Sequence, residues 1–219
     1  MQFEFIAGNL ALDFANTVHD YGASVSEDDL KSGSELVRWA RQAGLLSERE
    51  SQELYRQAGA NLGPAATGFQ RSLRLRRLVY EVFSDLSHGG RPRPGALAAL
   101  NSYFKQAMAA VSIQRVRDRY ELGWEENAFG LDRVLWAVTR SAMDLLTSER
   151  LGRIRQCAGD TCTWLFLDTS RNGMRRWCDM EACGNRAKVR RFRQRVKTEA
   201  RHARPRLERG DARRRARET

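Results

Sequence analysis

No apolar run in the 219-residue chain approaches the ~18 residues that a membrane-spanning helix needs, so no membrane partner is expected. The opening Met1-Gln2-Phe3-Glu4-Phe5-Ile6 lacks a basic region followed by an apolar stretch, so no secretory signal is expected and the chain reads as cytoplasmic. Histidine is scarce. His19, His88 and His202 stand apart, each beside a turn, a loop or the C-terminal tail. There is no phosphate-cradling glycine loop, nucleophile elbow or paired-histidine helix, and the chain is not read as an enzyme. Internal repeats are absent. Cysteine is limited to four residues, and all of them fall between Cys157 and Cys183.

What is present is ordinary in amount and unusual in placement. With 42% hydrophobic and 30% charged residues, the chain can bury one good core and a small second module. The net charge is +11, and its location matters more than its size. From Gly184 to Thr219 there are 15 Lys+Arg against 4 Asp+Glu, while residues 1–183 hold 23 of each sign. A neutral body with a basic end points to a polyanionic partner for that end, the alternative being a merely solvated tail.

The cysteine spacing, C-x4-C-x15-C-x4-C, offers two close pairs separated by a span long enough for a hairpin. Cys157, Cys162, Cys178 and Cys183 could give Zn²⁺ its tetrahedron of thiolates, and no position would remain for a catalytic water. One structural zinc ion is therefore expected. Two disulfides are the competing pattern, which a reducing cytosol disfavours.

Residues 1–150 read as mainly helical. Leu10, Phe14 and Val18 predict a helix over 9–18, and Ser47-Glu48-Arg49-Glu50 has the form of a capping box. Leu75, Leu78, Val79, Val82, Phe83 and Leu86 form the clearest helical stripe, which ends at the Gly89–Gly95 breaker. Val111, Ile113 and Val116 face Tyr120, Leu122 and Trp124 across Asp118, predicting a β-hairpin. Leu131 to Leu146 gives one more apolar helix. Trp164 to Leu167 reads as a strand, Asp168 to Gly173 as a turn within a hairpin between the cysteine pairs, and a helix is expected from near Cys183 with no breaker before Pro205.

On that last helix Arg186, Arg190, Arg193 and Lys197 share one face, suited to phosphates or a groove, and Lys188 is a further candidate contact. Val189, Phe192 and Val196 form an apolar face expected to pack on the hairpin. Arg171, Arg175 and Arg176 could add contacts from the hairpin side. Asn185 could read a base or satisfy the helix start. Trp177 beside a metal ligand reads as core, and the Arg213-Arg214-Arg215 cluster could add sequence-independent affinity.

The run Arg175-Arg176-Trp177-Cys178-Asp179-Met180, followed by Cys183-Gly184-Asn185-Arg186 and Lys188, resembles the CGNR zinc-finger family. Cys157, Cys162 and Trp164-Leu165-Phe166-Leu167-Asp168-Thr169-Ser170 extend the likeness upstream. Gly8-Asn9-Leu10-Ala11-Leu12-Asp13-Phe14-Ala15-Asn16-Thr17-Val18 is similar to the opening of that family's N-terminal partner domain, called ABATE. The resemblance implies a stress-response transcription regulator whose finger binds DNA. It also singles out Asn9, Asp13, Asn16 and Thr17, a continuous polar helix face that is either a solvated surface or the wall of an effector pocket. Trp39, Trp124 and Trp136 could line that pocket or belong to the core.

The expected fold is mainly α with small β elements: a helical N-terminal domain (1–148), a C-terminal treble-clef-like four-cysteine zinc finger (149–199) and a flexible basic tail (200–219). The expected partner is duplex DNA, with RNA or an acidic protein as alternatives and a small-molecule effector at the N-terminal domain. A lone finger reads few bases, so a homodimer would help a specific regulator.

Overall fold

Asn9 turns its side chain back onto the N–H groups of Ala11 (3.0 Å) and Leu12 (3.3 Å), and this cap starts α1 (Leu10–Ala15). The computed structural model describes residues 2–23, 26–59, 64–124 and 130–215, with 58–59, 64–65 and 201–215 described by backbone alone. Among these, Met1–Cys178 and Asp179–Thr219 form two compact units. None of the described helices is long and apolar enough to cross a membrane.

In the first unit α1 is the hub. Ala11, Leu12, Phe14 and Ala15 are at most 1% exposed, packed among α4 (Pro64–Ser87), α6 (Asp132–Leu146) and β4 (Leu165–Leu167). The helix expected over 9–18 stops at Ala15. Beyond it the chain straightens and pairs with the 27–29 segment: His19 N donates to Glu27 O and Asp29 N to Thr17 O, each at 2.9 Å. Around the hub, α2 (Gly33–Gln42) packs on α3 (Glu48–Gly59), and α5 (Pro94–Ala109) bridges α4 and α6. The capping box forms at α3, where Ser47 N donates to the Glu50 carboxylate (2.7 Å) and Glu50 N to Ser47 Oγ (3.3 Å). The stripe on α4 is core, with Leu75, Val79, Val82 and Phe83 fully buried.

The expected hairpin forms from β1 (Val111–Val116) and β2 (Arg119–Trp124), with Val111 opposite Trp124 and Ile113 opposite Leu122, but Val116 lies opposite Arg119 and Tyr120 opposite Arg115, because Arg117 and Asp118 together make the loop. A second antiparallel pair joins β3 (Ile154–Gln156) to β4. Here the structure departs from expectation. The strand at 165–167 pairs upstream, across the first cysteine pair, instead of with residues between the pairs. Leu165, Phe166 and Leu167 are all buried, so the strand needs a core on both faces, and Ile154 (1% exposed) helps to supply it. A three-residue strand with one large apolar side chain carries too little period to be seen in sequence.

The second unit holds a single π-type turn, Met180–Gly184, running into α7 (Asn185–Arg215). This helix continues past Pro205. A proline ring there removes one N–H donor and crowds the carbonyl four residues back, a local cost that the flanking Ala, Arg and Glu residues, which favour helix, offset in part. Val189, Phe192 and Val196, expected to pack, are exposed.

Candidate metal centre

Each cysteine pair is held by its own backbone. At the first, Cys157 N donates to Trp164 O (2.8 Å), closing the loop where β3 and β4 diverge, and Cys162 N donates to Gly159 O (3.2 Å). Ala158 N reaches Arg176 O (2.8 Å), and Cys178 N points at Cys157 Sγ (3.4 Å). At the second pair the Asp179 carboxylate accepts from Ala182 N and caps the turn, while Gly184 N donates to Asp179 O (3.1 Å). A Cβ on Gly184 would lie 2.6 Å from Met180 Sδ, so glycine lets the turn close tightly against that side chain.

The four Sγ atoms lie within 4.8 Å of one another. Cys157, Cys178 and Cys183 are 6%, 3% and 3% exposed, and Cys162 is half-buried. A zinc–thiolate tetrahedron with bonds of about 2.3 Å places its sulfurs about 3.8 Å apart; Cys162 Sγ and Cys178 Sγ stand at 3.6 Å. No disulfide joins any two of the four. Cys157 falls to about 2 because Cys162 and Cys178 direct their S–H groups at it. Cys162 is pushed up to about 12, chiefly by its bond to Cys157, and Cys178 is pushed up as well. Such close sulfurs do not share negative charge unaided, so the donor set suits one thiophilic divalent ion that holds all four as thiolates.

Charged residues near the cluster divide by role. Arg175 is half-buried: its guanidinium sits 4.5 Å over the Phe166 ring, and it donates to Trp177 O (3.0 Å) and to Cys178 O. It holds the backbone of Trp177 and Cys178 in place. Arg186 Nη2 donates to Cys183 Sγ (3.1 Å), offsetting thiolate charge. Arg176 lies 5.3 Å over the Trp177 ring. Arg171, Asn185, Lys188, Arg193 and Lys197 are exposed, and Arg190 is half-exposed. Asn185 is already helical at φ −66° and ψ −42°, and the capping carboxylate is Asp179. The Arg213–Arg215 side chains lie outside the described set.

One organising residue escaped the sequence reading. Asp168, 1% exposed, accepts from Ser170 N (2.9 Å), Ser170 Oγ (2.6 Å) and Arg175 N (3.1 Å). Burial pushes its carboxyl up, but these donors outweigh it and leave it below the usual carboxylate range. Its signal is the Asp-x-Ser pattern, which by itself marks a turn and does not name the donors that a buried carboxylate collects.

The polar face of α1 and its exit is largely interior. Asn9 is the cap. Asp13 accepts from Ala7 N (2.9 Å), and Thr17 Oγ1 accepts from the buried Arg76 (2.9 Å). Asn16 donates to Leu165 O (2.8 Å) and accepts from Leu165 N (2.9 Å). Asp13, Asn16 and Thr17 line one cleft of about 160 Å³ with His19, Asp29 and Trp164. Asn9 lies apart, on a cleft of about 410 Å³ beside Trp124 and Arg140. Trp39 is wholly core, and the rings of Trp124 and Trp136 stand 5.5 Å apart.

Comparison with protein families gives two matches. Residues 8–149 match the ABATE family, described as "Putative stress-induced transcription regulator", and residues 153–196 match the CGNR zinc finger. A search of curated proteins finds no match to the chain.

Proposed function

The chain belongs to the ABATE family and carries a CGNR zinc finger, and from that premise we propose that it is a DNA-binding transcription regulator. In this reading one structural Zn²⁺ is held by Cys157, Cys162, Cys178 and Cys183. The ion, supplying ~10–16 kcal/mol towards local folding, fixes the Cys178–Cys183 turn and so the start of α7. Residues 1–148 form the sensing part, residues 149–199 the finger, and residues 200–219 a basic extension. An effector entering the cleft of Asp13, Asn16 and Thr17 would touch Trp164, whose carbonyl closes the first cysteine loop. That gives the sensing part a short path to the metal.

The observation that carries the proposal is the helix that begins two residues after Cys183. Between Asn185 and Ala200 it holds seven Lys+Arg against the single Glu199. Phosphate neutralisation by such a helix supplies most of the affinity for a nucleic acid. RNA is the second reading, and exposed Phe192 gives it one stacking aromatic. Trp164, at 8% exposure, gives none, and a single-strand reader stacks two or three bases. The test is selection from a random duplex pool by the zinc-loaded chain at near-physiological salt. Enrichment of a defined motif is the expected result, and a palindromic motif would report a homodimer. Retention of RNA in preference to duplex DNA would reverse the assignment.

A further inference from the structure

α7 carries an arrangement that neither a solvated nor a packed helix calls for. Val189, Phe192 and Val196 are 49%, 59% and 48% exposed, and they are the large apolar side chains of residues 185–200. At about 100° per residue, the three fall within an arc of about 60°. Arg186, Arg193 and Lys197 border that arc on one side, and Lys188 and Arg195 on the other. The opposite face carries Gln194, Thr198 and the buried Ala187. The cations thus form two rows with an apolar strip between them.

Several anionic surfaces could attract one row, but few have a use for both rows and the strip. An interfacial lipid helix needs a broad apolar face rich in large side chains, and two valines and one phenylalanine are too little. A second copy of α7 would bring the seven cations of residues 185–200 against seven more, with only Glu199 on each side to offset them. The major groove of B-DNA, about 12 Å wide, admits one helix between two phosphate walls, and the apolar group on its floor is the thymine C5 methyl.

We propose that Val189, Phe192 and Val196 are the base-reading surface, touching thymine methyls on the floor of the major groove while the two cationic rows hold the opposite walls. This rests on the DNA-binding reading above, and it moves base recognition from the arginine face to the apolar strip. The regulator's target should then contain thymine at the contacted positions, with the arginines setting affinity more than sequence.

The zinc-loaded full chain is first used to select duplexes from a random pool. The enriched duplex is then remade with deoxyuridine in place of thymidine, which removes only the C5 methyls. Affinity is expected to fall about fourfold for each contacted methyl, with the salt slope unchanged. Phe192→Ala should weaken binding to the thymine form and shrink the thymine–uracil difference, while Arg195→Ala weakens both forms alike. Both positions are exposed, so zinc content and helicity should match the parent chain. Equal affinity for the two forms, or an enriched motif without thymine, overturns the assignment, leaves the DNA-binding reading standing and hands the strip to an acidic protein. Failure to retain any duplex overturns both.

Discussion

Asn16 gives β4 what a neighbouring strand would give it, one donor and one acceptor, both directed at Leu165. Asn16→Ala leaves the buried N–H and C=O of Leu165 without these partners, and should cost about 2–4 kcal/mol in chemical denaturation. Asp13 acts in the opposite sense. Burial raises its carboxyl from 3.8 to about 6, against the pull of the Ala7 and Ile6 N–H groups. Between these values the folded chain binds more proton than the unfolded one. The group's stabilising contribution is therefore full below pH ~4 and is lost as pH rises through ~6. Asp13→Asn, which keeps an oxygen for Ala7 N, should flatten that slope and raise stability at pH 7.5 by on the order of 2 kcal/mol relative to the parent chain. A parent and variant with parallel stability–pH curves would contradict the assignment. At the cluster, Cys162→Ser should lower bound zinc well below one equivalent; unchanged zinc by metal analysis would remove Cys162 from the ligand set.

At the scale of elements, the DNA-binding reading makes α7 the place where charge becomes affinity. Replacing Arg190 and Arg193 together by Ala should lower the slope of log K against log salt by about 2, at about 0.9 for each phosphate that is no longer neutralised. An unchanged slope would mean that this face does not meet phosphate. How much of each element could be read in advance depended on whether its signal was local. The four-cysteine cluster, the Ser47–Glu50 box, the α4 stripe and the Val111–Trp124 hairpin each carry a period or spacing of their own. The polar face Asn9-Asp13-Asn16-Thr17 looked like surface or pocket because period alone cannot say what a polar side chain bonds. Its interior role depends on Leu165, 149 residues downstream of Asn16. The same limit hid β3, which exists because β4 is buried on both faces, and Asp168, whose donors include the N–H of Arg175, seven residues on. Val189, Phe192 and Val196 misled in the other direction. An apolar stripe usually packs, and here it is exposed.

Across the whole molecule, the metal and the hydrophobic core share the work unequally. Ile154, Leu165, Phe166 and Leu167 are at most 1% exposed within the first unit, and β4 packs on the apolar helices α1 and α4. Chelation should therefore leave most helical signal and the burial of Trp39 intact while loosening the Cys178–Cys183 turn. The most direct test compares one enriched duplex with a random duplex of equal length, bound by the zinc-loaded chain, the chelated chain and the chain reloaded with zinc. The zinc-scaffold reading predicts that the preference for the enriched duplex collapses to near unity on chelation and returns on reloading, while weak salt-sensitive binding persists. A preference that survives complete zinc removal would contradict it.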